Sequence, residues 1–75
     1  MTFTLKTETL TSNTTGTTYI VEINQEKFCN TYTVAIFEKI NETNYRALDN
    51  RYYGTKAQAT RRFNTLTRKI RTGEI

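Results

Sequence analysis

Histidine, proline and tryptophan are missing from this 75-residue chain; cysteine and methionine occur once each, and glycine three times. Each shortage excludes something. Without histidine there is no usual general base, no commonest metal ligand, and no Ser-His or Cys-His pair. A lone cysteine, Cys29, cannot close an intramolecular disulfide, which implies a reducing, cytoplasmic setting. Beside Phe28, Cys29 reads as a small buried hydrophobe; a nucleophile would need Lys27 to activate it. Zinc would need more soft ligands than one. Gly16, Gly54 and Gly73 stand alone, so no glycine-rich loop cradles phosphates. Glu38, Glu42 and Asp49 are carboxylates near a turn that would hold a divalent ion only weakly, and they read more simply as solvated charges. We therefore expect no enzyme, no cofactor and no metal.

Long apolar runs are lacking as well. No apolar stretch of about 18 residues is present, and no charged leader precedes an apolar core, so neither a membrane span nor a signal peptide is expected. In that setting the sequons at Asn13 and Asn41 read as chance matches in a chain rich in Thr and Asn. With no proline, nothing obliges strand edges or loops to stay open.

What is there points to one small domain spanning residues 1–75, with a thin core. Seventeen threonines, five tyrosines and four phenylalanines favour strands and argue against disorder. A core this thin leaves stability marginal, and a homodimer interface would add to it.

The clearest pattern is at the C-terminal end, from Gly54 to Gly73. Ala59, Phe63, Leu66 and Ile70 recur at helical spacing and form one narrow apolar stripe, as expected of a helix lying on a flat surface. Thr55 is placed to cap its start, with Gln58 three residues on in the capping-box position. Gly73 is placed to end it in the left-handed conformation. Arg68, Lys69 and Arg71 crowd the last turn, where cations suit the helix dipole.

Ahead of the helix the pattern alternates. Residues 2–11 read as an edge strand, with Phe3 and Leu5 on one side and Lys6 and Glu8 on the other. Residues 11–16 have turn composition. In residues 17–24, Tyr19, Val21 and Ile23 share a face; residues 25–30 read as a polar connection. Residues 31–40 are apolar on both faces, which suggests a central strand or a second face that meets a partner. A turn at 41–44 leads into a last strand, 45–53, where Tyr45, Ala47 and Tyr53 oppose Arg46, Leu48 and Tyr52, with a bulge or break expected at Asp49-Asn50. The expected class is α+β: an antiparallel meander of three to four strands followed by one C-terminal helix packed on one sheet face.

Charge is lopsided. Residues 51–75 carry seven basic side chains and one acid, a balance of +6, against −2 for residues 1–50. A polyanionic partner, nucleic acid or an acidic protein surface, is the functional reading; a solvated helix face whose long side chains cover the core edge is the plainer one. The candidate contact residues are Arg46, Arg51, Tyr52, Lys56, Arg61, Arg62, Arg68 and Lys69, because guanidinium groups interleaved with rings suit phosphates and bases together.

The hairpin TYTVAIFEK…NYRALDNRYY and the junction YGTKAQATRRFNTL resemble a sheet-plus-helix DNA-binding pattern over about 40 residues. It is that of the arm-binding N-terminal domain of tyrosine recombinases and of the related plant AP2-type domain. There a three-stranded sheet leads through an aromatic-x-Thr-Lys junction into a helix. The resemblance implies that Arg46, Asn50 and Arg51 of the sheet would meet DNA. The alternative is a protein-interaction module, such as a small phage or mobile-element accessory protein that inhibits or adapts a host complex. The helix or an unblocked edge strand would also serve a homodimer.

Overall fold

A computed structural model describes residues 2–26 and 31–75. Four antiparallel strands, β1 (Thr2–Thr11), β2 (Thr18–Glu26), β3 (Tyr32–Lys39) and β4 (Tyr45–Tyr53), form a meander in the order β1-β2-β3-β4. One helix, α1 (Lys56–Arg71), lies across one face of the sheet. The expected architecture is therefore present. β2 begins and ends slightly later than expected, taking in Gln25 and Glu26. Cys29, with Lys27 and Phe28, lies outside the described residues.

Alternation builds the core. Tyr19, Val21 and Ile23 of β2 and Val34 and Ile36 of β3 point to the helix, and Ala59, Phe63, Leu66 and Ile70 descend to meet them. All nine are buried, each large apolar side chain contributing about 1.5–3 kcal/mol relative to exposure. The stripe read from the sequence is thus the packing face. Thr67, also buried, escapes a polar penalty because its hydroxyl donates to the Asn64 carbonyl at 3.1 Å.

Both helix ends are closed by local chemistry. The Thr55 hydroxyl accepts the Gln58 N–H at 3.2 Å. At the far end the Glu74 N–H reaches the Lys69 carbonyl (2.8 Å) and the Gly73 N–H reaches that of Ile70 (3.3 Å), the paired bonds of a Schellman motif. Gly73 has φ +79°, and a Cβ there would collide with the Thr14 hydroxyl in the β1–β2 turn. Next to it, the buried Ser12 hydroxyl donates to the Ile75 carbonyl at 3.0 Å. The first turn of the sheet and the end of the helix therefore hold one another.

Two features correct the expected facing of side chains. In β1, Thr4 pairs with Asn24 but Lys6 with the adjacent Ile23, so Leu5 is an inserted residue. Alternation resumes out of step, and Lys6 and Glu8 turn toward the helix instead of away from the apolar side. Lys6 sits 4.9 Å from the Phe63 ring centroid, and Glu8 pairs with Arg71. In β4, Phe37 pairs with Ala47 and Ile36 with Asp49, so Leu48 is inserted, one residue before the expected break. The slip puts Arg46 and Tyr52, expected on one face, on opposite faces. Arg46 follows Glu38 on the helix side; Tyr52, opposite Thr33, faces away.

The sheet's other face has no layer over it among the described residues. Ile20, Ala35, Phe37, Ala47, Tyr45 and Tyr52 share it with the threonines of β1. β3 is internal and apolar on both faces, in line with its sequence.

Candidate functional site

α1 crosses the sheet obliquely. Its N-terminal half runs beside β4, from which it departs at Gly54, and its C-terminal end reaches β1 through Arg71 and Glu8. Because β4 is an outer strand, an open groove remains between its end and the flank of the helix. The groove has a volume of about 500 Å³. Four residues singled out from the sequence line it: Arg51 and Tyr52 from β4, Arg61 and Arg62 from α1. Tyr53, Gln58 and Thr65 complete the walls. The part of Gln58 and Thr65 was missed because a polar Gln or Thr on a helix flank gives no signal until a strand lies beside it.

Two further hollows lie along the outer side of the helix. One is lined by Lys56, Ala57, Thr60, Arg61 and Asn64, the other by Arg61, Asn64, Thr65 and Arg68. Arg61 borders all three, so they form a single tract from the end of β4 to the last turn of α1. Lys69 lies seven residues, about two helical turns, beyond Arg62 on the same flank. Arg46 lines none of these hollows.

The cations differ in how they are held. The Arg46 guanidinium donates to Glu38 Oε1 at 2.8 Å. Arg51 Nε donates to Asp49 Oδ2 at 2.9 Å, and Arg62 Nη2 approaches the same oxygen at 3.4 Å. The Arg62 side chain is only 23% exposed, and its Nε is buried without a partner among the described residues. Lys56, Arg61, Arg68 and Lys69 have no carboxylate within ion-pair distance among the described residues. Asp49 thus offsets part of the charge on the inner wall of the groove and fixes its two guanidinium groups, while the outer wall keeps its charge.

The carboxylates weighed as a weak cation site are engaged otherwise: Glu38 with Arg46, Asp49 with Arg51 and Arg62, and Glu42 with Lys39 at 3.5 Å. No cluster of three or more His, Cys, Asp or Glu is arranged for a metal among the described residues. No helix is long and apolar enough to cross a membrane among them either. Neither a protein-family model, nor a curated protein, nor a solved structure matches the chain.

Proposed function

We propose that this chain is a small non-enzymatic nucleic-acid-binding protein that holds a phosphate backbone along α1 and the end of β4. The observation that carries this reading is the position of Arg61. It borders three hollows, and with Lys56 and Arg68 it offers charge that no carboxylate offsets among the described residues. Desolvated or freely exposed cations aligned in this way release counterions when they meet phosphates, which is where such binding gains its free energy. The likeness of the YGTKAQATRRFNTL junction to sheet-plus-helix DNA-binding domains supports nucleic acid as the partner class but not the sheet contacts it implies, because Asn50 lies on the face opposite Arg46 and Arg51.

The test is retention on heparin and on oligonucleotides against a salt gradient. Binding should weaken linearly in log–log form, with a slope of about 0.7–0.9 per phosphate contacted. Absence of retention at low salt would remove the reading.

A second reading is favoured by a different observation. The uncovered sheet face carries Ile20, Phe37 and the exposed Tyr45 around the buried Ala35. An apolar patch with a polar rim suits docking of a protein, as an accessory or inhibitory factor or a second copy of this chain. A host-lysate pull-down that recovers a defined protein, lost on Phe37→Glu but kept on Arg61→Ala, would select it.

A further inference from the structure

We propose that the nucleic acid taken by the β4–α1 groove is single-stranded, with its backbone on Arg51 and Arg61 and a base laid on the ring of Tyr52. This rests on the nucleic-acid reading above and narrows it.

Tyr52 is the first ground. It is 69% exposed, the most exposed large hydrophobic side chain among the described residues, and it borders the same groove as three guanidinium groups. Its neighbour Tyr53 packs against the core, so the strand end that presents Tyr52 is anchored. An anchored ring with an open face beside cations is the arrangement that stacks on a base while its phosphate is paired. In a duplex the base faces are covered by their neighbours, so only an unpaired base can use such a ring.

The bulge at Leu48 supplies the second ground. By turning Tyr52 to the face opposite the helix, it sets the ring and the outer cations of α1 on different sides of the β4 edge. The molecule as a whole spans 15 Å along its shortest principal axis. A stiff double helix resting on Lys56, Arg61 and Arg68 would leave Tyr52 idle, whereas a flexible strand passes from the helix flank, through the groove and round the edge to the ring. The groove is open along its length, with a volume of about 500 Å³, which leaves room for a strand to pass through it.

Asp49 supports the same choice. It pairs with Arg51 and Arg62 and leaves the terminal nitrogens of Arg51 unoccupied among the described residues, because only Nε is engaged. One phosphate is met by preset donors at low ordering cost.

The test is fluorescence anisotropy of the full chain with a labelled oligo(dT) of about ten nucleotides, within the site sizes of single-strand binders. A mixed-sequence duplex of equal length serves as the comparison. Single strand should bind about tenfold tighter than duplex at the same salt. Tyr52→Ala should weaken single-strand binding about tenfold and leave duplex binding unmoved, while Tyr52→Phe retains the wild-type value. Equal or tighter binding of duplex, or an unchanged Tyr52→Ala, would overturn the single-strand assignment and leave the nucleic-acid reading standing. No binding of either at low salt would remove both. Because Tyr52 is exposed, the variants keep the fold, which circular dichroism of each verifies.

Discussion

Asp49 and Arg62 meet across the seam between the sheet's outer strand and the helix, with Arg62 Nη2 3.4 Å from Asp49 Oδ2. The same oxygen accepts Arg51 Nε at 2.9 Å. A single carboxylate therefore positions two cations of the groove and cancels part of their charge. Asp49→Asn should strengthen binding of a polyanion several-fold, by about 1 kcal/mol for one charge at a solvent-screened site. The Arg51 pair is exposed and contributes little to folding, but Arg62 is mostly covered and loses its one carboxylate partner, so stability should fall by about 1–3 kcal/mol. Anisotropy titrations of the variant at two salt concentrations check both the gain and its ionic origin.

The outer cations divide differently. Arg61 and Arg68 are exposed and free of carboxylates among the described residues, so on the proposed nucleic-acid reading truncating each should remove one phosphate contact. The double change Arg61→Ala with Arg68→Ala should lower the log–log salt slope by about 1.4–1.8. Arg46→Ala, which takes away a residue already matched by Glu38 and outside the groove, should leave the slope unaltered. Slopes measured for the two variants side by side decide whether binding follows the tract or merely the net charge.

Gly73 offers a test of the fold itself. A side chain there meets both a left-handed backbone, φ +79°, and the Thr14 hydroxyl. Gly73→Ala should cost about 1–3 kcal/mol, read from urea unfolding. Adding Thr14→Gly should recover the steric part and leave the conformational part, so the two changes should be non-additive in a double-mutant cycle.

The helix stripe gives the largest expected loss. Phe63 is 1% exposed and lies over β2 and β3, with Lys6 capping its ring. Phe63→Ala should cost about 3–5 kcal/mol, enough to unfold most of a domain this small at room temperature. Thr55→Ala removes only the helix cap and should cost about 1 kcal/mol, seen as a lower Tm with the transition still cooperative.

The parts legible in the sequence are those fixed by near neighbours. The spacing of Ala59, Phe63, Leu66 and Ile70, the cap at Thr55 and the stop at Gly73 all depend on residues within a turn or two, and all recur in the structure. Alternation in β2 and β3 was equally plain because those inner strands run without interruption. The facing of Lys6, Glu8, Arg46 and Tyr52 was not legible. Each lies in an outer strand whose register shifts by one residue, and the shift is decided by how the neighbouring strand pairs, which no local pattern records. For the same reason the fork at Asp49 was invisible: Asp49 and Arg62 are thirteen residues apart and meet only after the helix folds back. The clamp from Ser12 to Ile75 joins the β1–β2 turn to the segment after the helix, 63 residues on, and had no local signal.

Both inserted leucines, Leu5 and Leu48, sit in the two border strands, at 40% and 42% exposure, and the inner β2–β3 ladder has none. A chain without proline has given each rim of its sheet a kink instead. A flat, regular rim would recruit a neighbour's backbone rung by rung and open the way to fibrils. Two misaligned ones make such stacking costly and leave recognition to side chains.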